Sequence, residues 1–562
     1  MPSMSPIDGM DGSAMTSPVQ GSQPESLYPE LDEAALAQYF AALTGDETAP
    51  LAPARAAEVA EARALVAPVP VRIPGAGEDL LDGVLWTHLT GDRARPAIVM
   101  PSPWTDLGWL AYAVQATRFA YSGYNVLAYT ARGFGRSEGE VEVGGPLDIE
   151  DGSRALDFLI ERTGGEPTRV GFLGDSYGSG ISQLVAAHDH RVDAVVALST
   201  WGDLGEAFYE NTTRHTEAVR KLLAAAQNAR LSKRTQQVFD DVLADRNVDE
   251  TLQWAAERSP YTYVAALNSR QVPVFFAHAW HETLFPSNQT LRMFHALTGP
   301  KRINMSIGDH SGPEMTGIVG LPNRIWTDAH RWLGHHLQDD DNGIDTEGQV
   351  VSQIMWNKAL ESRPTWAAVT GSTQRLYLAS PGATGDHTLA DGPDTGWSLS
   401  IQTGADTPAT VADEIILTGY DEMAGNPKVY PTAAISRADA GVWVTAPLPV
   451  TTGLRGVPRL RLTYTPSADR STFVAHLFDV APSGSAHIVT HAPFTRLDGE
   501  PGVAVTADIE LQATGYDVPA GHRLMLVIDT RDPFYGDANA PRATLTLSSP
   551  AADPSHLELP LR

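Results

Sequence analysis

The sequence predicts two successive architectures: an α/β domain built on a mostly parallel sheet, and then an all-β domain. Three observations carry that expectation. From about residue 70 to 340, short apolar runs alternate with helical patterns, which calls for strands covered by helices on both faces. One block in that region, 204–268, shows helical periodicity and no strand signal. Beyond residue 345 the rhythm becomes many short alternating strands separated by Pro, Gly and Asp clusters.

Taken in order, residues 1–25 are a polar, Gly/Ser/Pro-rich opening containing Met1, Met4, Met10 and Met15, and are expected to be a disordered leader. Residues 26–203 and 269–338 are expected to form the α/β domain. Its buried strands are read at Ala97 to Met100, Asn125 to Tyr129, Arg169 to Leu173, Val192 to Leu198, Val272 to His278 and Arg302 to Ile307. Ile149 to Glu161 and Ile181 to His188 are amphipathic helices between them. The helical block 204–268 reads as a cap or lid, its plainer alternative being a packing subdomain. Asp339 to Gly343 is a linker. Residues 345–562 are expected to form a β-sandwich of the jelly-roll kind, with strands at Arg375 to Leu378, Glu414 to Leu417, Val442 to Thr445, Arg459 to Tyr464, Thr472 to Phe478, Val503 to Leu511, Arg523 to Ile528 and Arg542 to Leu547.

Composition narrows the function classes. The 562 residues include no cysteine, which removes disulfides, thiolate catalysis and Cys-ligated metals and fits a reducing cytoplasm. Forty Lys+Arg against 68 Asp+Glu leave a formal net charge of −28. A field of that sign repels nucleic acid and anionic membranes, so neither is expected as a partner. No uncharged apolar stretch approaches the ~18 residues that a membrane span needs.

The chemistry concentrates at Gly174-Asp175-Ser176-Tyr177-Gly178, which follows the strand ending at Leu173 and precedes a helical pattern. This is G-x-S-x-G in a strand–turn–helix setting. The serine must sit on a strained turn for its hydroxyl to stand clear of the sheet, and the flanking glycines let strand and helix approach. Ser176 is the expected nucleophile, and the N–H of Tyr177 the expected oxyanion donor. A serine nucleophile needs a base, and the base needs an orienting acid, in the chain order Ser, acid, His. Each partner should follow a later strand. Val272 to His278 is followed by Ala279-Trp280-His281-Glu282, and Arg302 to Ile307 by Gly308-Asp309-His310. His310 is therefore the expected base and Glu282 the expected acid, with Asp309 as the competing acid. His278 with His281 and Glu282, and His188-Asp189-His190, match no helix-borne zinc spacing, and no metal is expected.

These residues resemble the X-prolyl dipeptidyl aminopeptidase and cocaine-esterase family, with its α-amino acid ester hydrolase relatives. The resemblance rests on the Gly174-to-Gly178 elbow with Tyr after Ser, on Arg132-Gly133-Phe134-Gly135-Arg136-Ser137-Glu138-Gly139, and on the C-terminal stretches Gly456-Val457-Pro458 and Asp479 to Gly484. It covers about 70 to 560. It implies a Ser–Asp–His triad on an α/β-hydrolase catalytic domain with a jelly roll packed on it. Two departures stand out. The family's acid segment, Gly-Trp-x-Asp, is here Ala279-Trp280-His281-Glu282. Its Arg-x-Pro-Tyr loop, whose Tyr is the second oxyanion donor, is here Pro101-Ser102-Pro103-Trp104, so the indole N–H of Trp104 is the expected substitute.

The expected reaction is hydrolysis of a small-molecule ester or amide through an acyl-enzyme, with no cofactor. X-prolyl or amino-acyl peptidase action and acyl transfer through the same intermediate are the alternatives, and a non-catalytic binding protein is the reading from another class. Self-association into a homodimer stays open.

Overall fold

Among the described residues, ten strands form the sheet of the N-terminal half: β1 (Val66–Pro74), β2 (Leu80–His88), β3 (Ala97–Pro101), β4 (Asn125–Tyr129), β5 (Val170–Asp175), β6 (Ala194–Leu198), β7 (Val274–Ala279), β8 (Lys301–Ser306), β9 (Val350–Gln353) and β10 (Leu360–Arg363). This computed structural model describes residues 32–46, 48–89, 94–381 and 386–562, so the leader expected over 1–25 lies outside the described residues. The spatial order is β1-β2-β4-β3-β5-β6-β7-β8-β9-β10. β3 to β9 run parallel, β1 and β2 are antiparallel additions at one edge and β10 at the other. β3 to β7 are buried along their whole length, as a sheet sandwiched between helix layers requires. This is the α/β-hydrolase architecture.

β9 and β10 lie in the stretch assigned to the jelly roll by rhythm, yet β9 extends the first sheet by pairing with β8. Alternation identifies a strand but not the sheet it joins.

Between β6 and β7 the chain forms the helices Leu204–Phe208, Thr216–Ala225, Lys233–Ala244, Val248–Ala256 and Val264–Arg270. One hairpin interrupts them, pairing Tyr209–Glu210 with Thr213–Arg214. Its two turn residues, Asn211 and Thr212, both have positive φ (46° and 65°), the conformation a two-residue hairpin loop demands. Such a short pair carries no periodic signal.

Among the described residues, the C-terminal half is a 13-stranded, mostly antiparallel β assembly. Ser471–Val480 lies between Ala486–Arg496 and Arg523–Asp529, and Arg459–Pro466 between Val505–Glu510 and the strands Thr544–Ser548 and His556–Leu561. The strand expected at Glu414 to Leu417 is absent. The segment is a turn that leads into the helix Leu417–Ala424, with Ile416 at φ 70°. Ile415 and Ile416 are buried, and Ile416 N–H donates to Asp309 Oδ2 at 3.1 Å. Tertiary contact with the loop after β8 overrides the β preference of the two isoleucines.

Among the described residues, no helix is long and apolar enough to cross a membrane.

Candidate active site

β5 ends at Asp175, and the helix Tyr177–His188 starts one residue past Ser176. Ser176 takes φ 52° and ψ −117°, a strained conformation for a residue with a Cβ. Its backbone N–H is fixed by Leu198 O on β6 at 2.8 Å. The turn leaves no space for side chains on either flank. A Cβ at Gly174 would lie 2.1 Å from the Gly178 carbonyl carbon, and one at Gly178 would lie 2.0 Å from Pro101 O. The glycines are thus required by close approach.

His310 and Glu282 reach the serine from the loops after β8 and β7. His310 Nε2 is 2.7 Å from Ser176 Oγ. His310 Nδ1 lies 3.0 Å from Glu282 Oε1 and 3.2 Å from Oε2. Glu282 Oε1 also accepts N–H bonds from Leu284 (3.0 Å) and Phe285 (3.1 Å), which hold the carboxylate toward the ring. The longer Glu side chain still reaches the imidazole. Ser176, Glu282 and His310 are 2%, 4% and 0% exposed, so the three sit under cover.

The pKa shifts match this geometry. Burial alone would lower the His310 pKa, but the Glu282 carboxylate, helped by Asp175 and Asp309, more than offsets it and the pKa is raised above 6.5. Burial alone would raise the Glu282 pKa, but His310, helped by His278 and the Phe285 N–H, more than offsets it and the pKa is lowered from 4.5.

Asp309, the competing acid, is placed elsewhere. Its Oδ1 accepts from the backbone N–H of Thr283 (2.6 Å) and of His310 (2.7 Å). Its Oδ2 accepts from Thr283 Oγ1 at 2.6 Å and from Ile416 N–H. It ties the two loops and the C-terminal half together. Burial, followed by the nearby Glu282 charge, pushes its pKa up to about 7.

Trp104 calls for a correction. Its indole N–H donates to Leu222 O of the helix Thr216–Ala225 at 3.1 Å, and its ring packs edge-on against Phe134 and Tyr177 at 5.0 and 5.1 Å. The donor is turned into the helical insertion and is already bonded there. Tyr177 is the first residue of its helix, so its N–H is among the amino-terminal donors that have no intrahelical partner.

The histidine groups weighed for metal do not converge. His278 Nε2 is bonded to Phe285 O and His281 Nδ1 to Glu422 Oε1, so the two rings are turned to different partners. His188 Nδ1 faces Leu184 O. Among the described residues no group of three or more His, Asp or Glu could hold a metal ion.

Two residues next to the site escaped the sequence reading. Asp175 Oδ2 accepts from Ser311 Oγ at 2.8 Å and so braces the His310 loop against β5. Asp148 accepts the Tyr177 hydroxyl at 3.0 Å. The one trace of Asp148 in the sequence is its place three residues after Gly145 at a helix start, which reads as an ordinary capping carboxylate.

A family model described as X-Pro dipeptidyl-peptidase (S15 family) matches residues 77–312, and one described as X-Pro dipeptidyl-peptidase C-terminal non-catalytic domain matches residues 342–558. The chain belongs to this family of serine hydrolases. A curated relative from Streptomyces avermitilis, named "Putative Xaa-Pro dipeptidyl-peptidase", is 25% identical over 488 residues, which span 76% of this chain and 70% of the relative. Among solved structures, an aminopeptidase from a marine-sediment Thaumarchaeota archaeon superimposes with a TM-score of 0.68 at 16% identity, over 88% of this chain and 96% of its own. A CocE/NonD family hydrolase from Staphylococcus aureus superimposes with a TM-score of 0.66 at 12% identity, over 88% and 93% of the two chains. At these identities the likeness is one of fold.

Proposed function

We propose that the protein hydrolyses an ester or amide bond of a small acyl substrate through an acyl-enzyme on Ser176. The observation that carries this reading is the continuous path Ser176 Oγ–His310–Glu282, with contacts of 2.7 and 3.0 Å on the two ring nitrogens. Ser176 Oγ attacks the carbonyl carbon while His310 Nε2 takes its proton. Glu282 holds the ring and stabilises the imidazolium. The oxyanion forms at the carbonyl oxygen and is met by Tyr177 N–H. Collapse breaks the bond to the leaving alcohol or amine, which takes the proton from His310. Water then attacks the acyl-serine with His310 again as base, releasing the acid and free Ser176. Every bond and proton balances without a cofactor.

Peptide hydrolysis is the second reading, favoured by the Streptomyces relative's printed name. Matched aryl-ester, amide and X-Pro anilide substrates separate the two, since the preferred one has the highest kcat/KM. The expected result for Ser176→Ala is loss of turnover on all three. Full activity of that variant on aryl esters rules the reading out.

A further inference from the structure

The residue after the nucleophile is held through its side chain as well as its backbone. Tyr177 is buried, and its hydroxyl donates to Asp148 Oδ2 at 3.0 Å and accepts from Gly144 N–H at 3.3 Å. Asp148 is buried too, and the same Oδ2 accepts from Gly145 N–H at 3.1 Å. One phenol therefore ties the first turn of the helix after Ser176 to the loop at 144–145 and to the helix Pro146–Thr163.

That anchor is itself tied into its surroundings. Gly144 has φ +69°, and a Cβ there would lie 3.0 Å from Leu184 Cδ1. Upstream, Val141 N–H donates to Arg230 O at 2.7 Å and Glu142 O accepts from Arg258 Nε at 2.8 Å, both partners belonging to the helical insertion. Downstream, Asp151 pairs with buried Arg132 at 2.7 Å. Packing alone does not call for this arrangement. A Phe at 177 would fill the same space and would leave no hydroxyl to desolvate. An oxyanion donor, by contrast, works only while it is aimed, and the strained Ser176 turn beside it stores a tendency to relax.

We infer that Asp148 is a positioning residue for the oxyanion hole: by holding the Tyr177 hydroxyl it keeps the Tyr177 N–H aimed at the carbonyl oxygen bound beside Ser176. The inference rests on the proposed role of that N–H. Burial, followed by the Asp151 charge, pushes the Asp148 pKa up to about 7, so the bond does not depend on a full negative charge and an amide is a fair replacement.

The test compares Tyr177→Phe, Asp148→Ala and Asp148→Asn on a small aryl ester, below the Tm of every variant, with Ser176→Ala alongside. Tyr177→Phe and Asp148→Ala are each expected to lower kcat roughly 10- to 100-fold with KM within about twofold. Asp148→Asn keeps an accepting oxygen and is expected within about threefold of the parent. The double variant should be no slower than the slower single, because both cut the same link. If Ser176→Ala is inactive while Tyr177→Phe keeps full kcat and loses only Tm, the contact is structural and this inference falls alone. If Ser176→Ala stays active, the underlying reading of the site falls with it. Tyr177→Phe is nearly isosteric, so it decides the matter even if Asp148→Ala does not fold.

Discussion

The loops after β7 and β8 meet at His310, and each presents a buried carboxyl, yet the two are tuned in opposite directions. Glu282 points its oxygens at the imidazole, and His310 holds its pKa below 4.5. Asp309 sits one residue from His310 but turns its oxygens to backbone N–H groups and to Thr283, and its pKa rises to about 7. Adjacency in sequence did not decide which carboxyl bonds the imidazole. The direction of each carboxyl and the charge beside it did, as in other sites where two acids are driven apart by their surroundings.

The largest break in this comparison is Glu282→Gln. It removes the ring's charged partner, and kcat is expected to fall roughly 10³- to 10⁴-fold. The pH profile sharpens the point. His310 acts as base only when neutral, and Glu282 raises its pKa, so kcat/KM of the parent should rise with pH through a midpoint above 6.5. In Glu282→Gln the residual activity should rise at lower pH, because the raising charge is gone.

Asp309→Asn should cost far less turnover, about tenfold at most, and should show itself in stability. Asp309 has a folded pKa of about 7 against an ordinary 3.8. A raised carboxyl contributes stability that is complete below its unfolded value and is lost as pH climbs through its folded value. The parent's Tm should therefore decline toward the variant's between about pH 4 and pH 7, the interval set by 3.8 and about 7, which thermal melts across that range would measure. A gap that widens with pH contradicts the assignment. The smallest effect is expected for Trp104→Phe, which deletes the bond to Leu222 O. About 1 kcal/mol of stability should be lost, with kcat within about threefold. A loss near a hundredfold in kcat would return Trp104 to the oxyanion hole.

Much of this was legible in the sequence because it is local. Ser176 announces itself through the strand before it and the glycines around it, and His310 and Glu282 follow the ends of later strands. The parallel strands β3 to β7 were visible as short, mostly apolar runs, whereas β8 shows only Ile303 and Met305 among polar residues. What escaped depends on partners far along the chain. The direction of the Trp104 indole is set by Leu222, 118 positions away. The apolar run Glu414 to Leu417 is bent by Asp309 and Thr283, more than 100 positions upstream. Gly419 has its own reason to be there, since a Cβ would lie 2.2 Å from Asp309 Cβ, but only the fold brings the two together.

The central claim is that Ser176 is a nucleophile activated by His310. Treatment with a fluorophosphonate, followed by intact mass measurement and peptide mapping, tests it most directly. The account predicts a single adduct on Ser176, strongly slowed in Glu282→Gln and absent in Ser176→Ala. An unlabelled parent protein, or an adduct that persists in Ser176→Ala, would contradict it.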